Sequence, residues 1–254
     1  MKLQEGYMKW ESSDMKEFKA DMHIHTCLSP CADLEMSPKN IIKEAKKKGL
    51  DIIGICDHNS AENFPALEKS ANIAGIKAIG GIEITSMEEV HILGLFGTER
   101  DLFSMQEAVY SNLQGVNDEE RYGLQVVVNE NDEVLGFNNK LLLGATEMSV
   151  EEVVDLIHEF NGIAIASHVD REGFSIITNL GFIPEGLKLD ALEIMEPSMR
   201  DKINQGVDFV FITSSDAHLI KDIGKRYSCF LMKESTFEEI RKCLRKENGR
   251  EVII

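Results

Sequence analysis

The sequence predicts an α/β fold in one large domain, and three observations predict it. Its 254 residues match the size at which α/β barrels run as single domains. Apolar runs of strand length alternate with amphipathic segments of helix length, the rhythm of β-α units around a mainly parallel sheet. Several runs, Ile52-Ile53-Gly54-Ile55-Cys56 among them, show no polar alternation, as expected of strands covered on both faces.

Taken in order, residues 1–17 read as a charged lead-in to a first strand from about Phe18 to His25. Ser37-Pro38 starts a helix, with a polar cap and proline at the first helical position, and Gly49 ends it. The run ending at Cys56 delivers Asp57-His58, and a helix from about Ser60 to Ala74 follows. Two further strands deliver Glu83 and carry His91. From about residue 100 to 147 the rhythm breaks. An amphipathic helix near Leu102–Leu113, an acidic turn and a hairpin over Gln125–Phe137 read as an insertion beside the main domain. Ser149 and Glu152 then form a capping box. Strands over Gly162–Ser167 and Leu189–Met195 follow, the first delivering His168. The run Val207–Ser215 delivers Asp216 and His218. Ser235 and Glu238 cap a last helix to about Asn248, before a terminal strand over Glu251–Ile254.

Composition removes several classes of function. A net charge of −17 repels polyanions, and no basic stripe offsets it, which disfavours long nucleic acid while leaving short oligonucleotides open. The basic cluster Lys46-Lys47-Lys48 sits at a helix end, where cations favour the dipole. No apolar run of about 18 residues exists, so no membrane span is expected. The first residues lack the apolar core of a signal peptide, which points to the cytoplasm. Five irregularly spaced cysteines argue against a disulfide framework. Cys27 and Cys31 lie near the first histidine pair, where each either ligates a metal or fills buried space.

The candidate chemistry lies in the histidines. His23 and His25 are two apart on a strand and therefore project to one side, with Asp21 at the same parity. Of the seven histidines, 23, 25, 58, 168 and 218 lie at or just past the end of a predicted strand, and His91 lies within one. In a parallel barrel such ends converge on one face, where active sites sit. Together with Glu83 and Asp216 they offer enough ligands for two or three divalent ions. His158 lies mid-helix and is assigned no ligand role. Asp57 points away from His58 and is expected to orient a ligand rather than bind a metal.

The motifs Asp21-Met22-His23-Ile24-His25, Cys56-Asp57-His58-Asn59, Gly81-Ile82-Glu83-Ile84, Ala166-Ser167-His168 and Ser215-Asp216-Ala217-His218 resemble, in order, those of the PHP (polymerase and histidinol phosphatase) family of metal-dependent phosphoesterases. The resemblance implies a distorted (β/α)7 barrel with a di- or trinuclear Zn, Mn or Fe site at the C-terminal face of its strands. It implies that His23, His25, Glu83 and Asp216 ligate one ion, that Glu83 bridges to a second held by His91 and His168, and that His58 and His218 serve a third. Family members usually carry an aspartate soon after the histidine pair. Pro30 occupies that place here, and Asp33 or Cys31 is the candidate replacement.

Such ions lower the pKa of a bound water from about 15.7 toward about 7 and clamp phosphate oxygens. Arg171, three residues past His168, is the first choice to hold the phosphate, ahead of Arg200 and Lys225. Asp216 or His218 is expected to protonate the leaving oxygen. The function expected is hydrolysis of the phosphate ester of a small metabolite or nucleotide. The alternatives are an oligonucleotide exonuclease of the same family, an amidohydrolase-type C–N hydrolase, and a non-catalytic metal-binding module.

Overall fold

The computed structural model describes residues 14–203 and 208–254, so most of the expected lead-in lies outside the described residues. The strands are β1 (Lys16–Ile24), β2 (Ile52–His58), β3 (Lys77–Thr85), β4 (His91–Phe96), β5 (Val126–Val128), β6 (Val134–Phe137), β7 (Ile163–Ala166), β8 (Ala191–Glu193), β9 (Phe211–Ile212), β10 (Ser228–Met232) and β11 (Glu251–Ile253). The helices are α1 (Pro38–Lys48), α2 (Phe64–Ala74), α3 (Glu99–Asn112), α4 (Glu119–Tyr122), α5 (Val150–Glu159), α6 (Ile176–Leu180), α7 (Arg200–Ile203) and α8 (Phe237–Leu244). No described helix is long and apolar enough to cross a membrane.

Strands β1, β2, β3, β4, β7, β8 and β9 follow one another around a nearly closed barrel. A parallel bridge between Ile24 and Ala217 draws its two ends together. There the His25 amide donates to the Ala217 carbonyl at 3.0 Å, and the Ala217 amide to the His23 carbonyl at 3.3 Å. β10 and β11 extend the sheet antiparallel from the free side of β1. An apolar layer joins the barrel interior (Ala20, Met22, Ile79, Leu93, Ile165) to Phe237, Ile240 and Leu244 of α8, which plug the end opposite the histidines.

One strand departs from the parallel expectation. β4 runs antiparallel to both β3 and β7. Only residues 86–90 separate β3 from β4, too few for a crossover, so the two form a hairpin. Thr85 consequently pairs with His91, and the start of β4 reaches the same rim as the end of β3.

The decisive irregularity lies in β1. Ala20 pairs with Ile52 and Asp21 with Ile53, but Ile24 pairs with Ile55, so β1 carries one residue more than β2 over this stretch. Ala20 and Met22 face the barrel interior, while Ile24 faces the helical layer. Strict alternation would have turned His23 and His25 outward; the extra residue flips them inward. The slip needs room on β2, which Gly54 supplies. A Cβ on Gly54 would stand 2.3 Å from the Met22 carbonyl oxygen.

Other differences are local. α2 starts at Phe64 rather than near Ser60, because Asn63 is drawn into tertiary hydrogen bonds with Thr26, Val126 and Val128. The last helix is capped one residue later than expected, by Thr236 accepting from the Glu239 amide. The Glu239 carboxylate is taken by Arg250 at 2.7 and 2.9 Å. Ser37 stands at the expected N-cap of α1, but its hydroxyl makes no capping bond. The Ser149–Glu152 capping box forms as expected. β10 and α6 were not foreseen: the first is a five-residue run between charged flanks, the second a five-residue helix capped by the Ser175 hydroxyl and anchored in the core by Ile176. The hairpin β5–β6 forms a separate two-stranded sheet. It leans on the loop after β1, where the Val126 amide donates to the Cys27 carbonyl at 3.0 Å.

Gly54→Ala should therefore cost about 3 kcal/mol or more, because the obstructing atom is backbone and cannot rotate away. Urea unfolding of the variant checks this; unchanged stability would mean that β1 and β2 can part without cost.

Candidate metal centre

Alternation on the remaining strands delivers the other groups to the same rim. On β2, Ile52 and Cys56 face inward, so His58 does too, while Asp57 faces the other way. On β3 the inward set runs Ile79, Gly81, Glu83, and on β4 it runs Leu95, Leu93, His91. His168 follows β7 with φ of 28°, a left-handed conformation that turns the chain as it leaves the strand. Asp216 also has positive φ, 52°, just before the Ala217 bridge.

The Glu83 carboxylate is the hub. It is 1% exposed and lies within 3.5 Å of five imidazoles: His91 (2.9 Å), His58 (3.1 Å), His168 (3.2 Å), His25 (3.3 Å) and His23 (3.5 Å). Asp216 stands opposite, with Oδ1 3.3 Å from His25 Nε2 and 3.5 Å from His23 Nε2. His218 Nδ1 lies 3.5 Å from the same Asp216 oxygen. The donor atoms fall into three compact groups: His23, His25, Glu83 and Asp216; His58, Glu83 and His91; and His25, His58 and His218. His168 touches Glu83 beside the second group, and His58 takes part in two groups rather than one.

The ring tautomers follow from the groups behind them. His23 Nδ1 donates to Glu193 at 3.0 Å. His25 Nδ1 donates to the Ser29 hydroxyl at 2.9 Å, which in turn donates to Asp57 at 2.6 Å. Asp57 thus reaches His25 through Ser29 and also receives the amide and hydroxyl of Thr26, both at 2.7 Å. Both Nε2 atoms are left to face each other across 3.1 Å. Two lone pairs that close repel unless a proton or a metal ion stands between the rings and the carboxylates. His58 Nδ1, His168 Nδ1 and Asp216 Oδ1 are buried without a hydrogen bond, which also fits a cation-binding donor set.

Charge within the cluster is uneven. Burial opposes protonation of His25, but Asp216 and Glu83 outweigh it and lift its pKa to about 9. For His23, burial is likewise overcome, by Glu193, Glu83 and Asp216, and its pKa rises well above the usual value. Burial pushes His91 down to about 4 and, with the neighbouring His25, His218 down to about 3. Burial disfavours the charged forms of Glu83 and Asp216, yet the surrounding imidazoles hold both carboxyls well below the ordinary range.

Without metal, Asp216 is held ionised and His218 neutral near neutral pH, the forms in which each can take a cation. Asp33 does not reach the cluster: it is exposed, and its carboxylate accepts from the Glu35 amide at 2.8 Å. Cys31 belongs to none of the donor groups found among the described residues. Without metal, burial around its thiol and the charge of Glu83 push its pKa up to about 12, so it rests as the neutral thiol. Cys27 packs with Val126 and Val128. Asp21, despite its parity with His23, precedes the slip in β1 and accepts from the Ser215 and Gly224 amides instead. Arg171 reaches the site, its Nη1 3.0 Å from Asp216 Oδ2. Arg200 lies over the Phe211 ring and Lys225 pairs with Asp222, so neither is brought in. His158 pins Asp190 at 2.9 Å, consistent with no ligand role.

Glu193 and Ser29 were missed. Glu193 could have been found, because it is a carboxylate ending an apolar strand run at inward parity, the pattern that singled out Glu83. Ser29 had no comparable signal; its role arises from the loop after β1.

The PHP domain family model matches residues 21–179. An uncharacterised protein of Methanocaldococcus jannaschii is 37% identical over 32% of this chain and 52% of its own length. The chain thus spans about half the length of that relative. Among solved structures, a lesion-specific endonuclease from Pyrococcus furiosus superposes with a TM-score of 0.70 at 22% identity, covering 93% of this chain and 58% of the endonuclease. A structure from Bifidobacterium adolescentis, assigned only provisionally as a metal-dependent phosphoesterase, gives 0.58 at 18% identity, covering 89% and 96%. At these identities the two structures share the fold.

If the cluster takes up metal, His23 and His25 must first lose the protons their surroundings favour. Zinc affinity should rise with pH up to about 9, the value for His25. Titration calorimetry at pH 7 in buffers of different ionisation enthalpy should show proton release on zinc binding. Buffer-independent heats would contradict protonated imidazoles at His23 and His25.

Proposed function

We propose that this chain, which belongs to the PHP domain family, is a metal-dependent phosphoesterase acting on a small phosphorylated substrate such as a nucleotide. The observation that carries the reading is the Glu83 carboxylate within 3.5 Å of five imidazoles, with Arg171 held at the edge of the same cluster by Asp216.

In this reading His23, His25, Glu83 and Asp216 hold one divalent ion, and Glu83 is shared with a second held by His91, with His58 and His168 alongside. His25, His58 and His218 form the third candidate group, which has no carboxylate of its own. Bound divalent ions supply Lewis acidity toward phosphate oxygens and a water nucleophile near neutral pH. The chain's own contribution is orientation and charge. Glu193 and the Ser29–Asp57 pair fix the two imidazoles so that Nε2 faces the site. Arg171, 37% exposed beyond its contact with Asp216, presents the remaining guanidinium donors to a phosphate. The net charge of −17 favours small substrates over long polyanions.

A screen of adenosine 5′-monophosphate, histidinol phosphate, an aryl phosphate ester and a short labelled oligonucleotide, with Mn, Zn and Fe in turn, tests the proposal. Release of inorganic phosphate from at least one monoester is expected, and the joint change His23→Ala and His25→Ala should abolish it while the far-UV spectrum is kept. Shortening of the oligonucleotide alone would replace the small-substrate reading with a nuclease. No cleavage of any phosphoester by metal-loaded protein would overturn the proposal.

Glu193→Gln removes the carboxylate behind His23 and should weaken metal binding about 10- to 100-fold without unfolding the barrel. Zinc titration against a competing chelator reads the change, and wild-type affinity would show that His23 needs no such support.

A further inference from the structure

His91 is held differently from the first two histidines of the cluster. His23 and His25 each have a hydrogen-bond partner behind the ring, Glu193 and Ser29. His91 meets Glu83 through Nδ1 at 2.9 Å, and no described group hydrogen-bonds its Nε2. Phe174 lies against the imidazole instead: the two rings stack with centroids 4.5 Å apart and planes 21° from parallel. Phe174 meets His91 a second time through the backbone, its carbonyl accepting from the His91 amide at 2.9 Å.

This double contact comes with an unfavourable conformation. Phe174 has φ of 58°, in the left-handed region that a bulky side chain rarely enters. The neighbouring Gly173 could take such a turn without steric cost, yet its φ lies outside that region. Strained backbone persists only where its surroundings hold it, and it gathers at functional sites. Upstream of Phe174 the Arg171 amide donates to the His168 carbonyl at 2.9 Å. Downstream the Ser175 hydroxyl caps α6, and Ile176 enters the core. Asn179 of α6 donates to the carbonyls of Glu88 and Glu89, at 3.0 and 2.8 Å, which ties the helix to the turn leading into β4.

We infer that Phe174 is a positioning residue for His91: its ring, stacked on the imidazole, fixes the plane in which His91 offers a nitrogen to the ion shared with Glu83. The inference rests on the metal-centre reading above and gives an apolar side chain the part that Glu193 plays for His23. The torsion that turns an imidazole about its own axis is broad, so a ring with one unpartnered nitrogen needs some other restraint. A stacked aromatic partner supplies one, because ring pairs keep preferred geometries.

Phe174→Gly isolates the ring. Glycine takes the left-handed turn freely, and the carbonyl bond to His91 and the ties of α6 do not depend on the side chain. Zinc is titrated against a competing chelator, with His91→Ala marking the binding step that depends on His91. In Phe174→Gly that step should weaken about tenfold while the other step is unchanged. Phe174→Tyr keeps a flat ring and should bind zinc as the wild type does. Equal weakening of both steps, as general damage to the barrel would give, would overturn the inference. So would wild-type affinity in Phe174→Gly, or a Phe174→Tyr protein as weak as the glycine variant. Wild-type protein that binds no zinc would overturn the metal centre and this role together. The expected dependence on Phe174 supports the role whether or not any phosphoester is cleaved.

Discussion

Everything at the rim depends on one extra residue in β1. Without it, Ala20 and Met22 would set the inward face, and the two histidines that follow would point into the helical layer. The slip re-aims them and moves Ile24 outward, where it joins the apolar contacts under the helices. Gly54 on the neighbouring strand makes the slip possible by leaving the Met22 carbonyl room. A glycine with ordinary backbone angles and a fully buried position is therefore as necessary to the site as any residue in it.

The second constraint is electrostatic. Glu83 and five imidazoles sit together buried, with Asp216 and the partly exposed His218 at their edge and Glu193 directly behind. A cluster like this is costly to bury unless each charge is paired. In the absence of metal, protons on His23 and His25 offset Glu83 and Asp216, while His91 and His218 stay neutral. Metal ions would supply the same compensation with greater charge. The carboxylates behind the rings decide which nitrogen is left to receive them. Fold and site are thus coupled through Glu193, which ends β8, holds His23 and also accepts from the His168 amide at 3.0 Å.

Much of this arrangement was legible in the residues. Strand ends carrying histidine or carboxylate marked the rim, and His23, His25, His58, Glu83, His91, His168, Asp216 and His218 are brought together there. Legibility failed where tertiary geometry overrides local pattern. Asp21 shares the parity of His23 on paper, but a slip in pairing register leaves no trace in the strand's own sequence. Asp33 has the right chemistry and the right loop, yet its side chain is exposed and one of its oxygens accepts from the Glu35 amide in a turn. The antiparallel course of β4 could have been read from the five-residue connection ahead of it. β10 could not, because its pairing with β1 joins segments some two hundred residues apart.

Glu83 is the carboxylate on which five of the imidazoles converge, and its proposed role as a shared ligand is open to direct observation. The most direct measurement is a crystal structure of the zinc-loaded protein with anomalous data at the zinc edge. Two or more peaks are predicted, at least two of them about 2.0–2.2 Å from a Glu83 carboxylate oxygen, one also ligated by His23 and His25 and another by His91. A single peak remote from Glu83, or an ion bound by the histidines while Glu83 remains unliganded, would contradict that role.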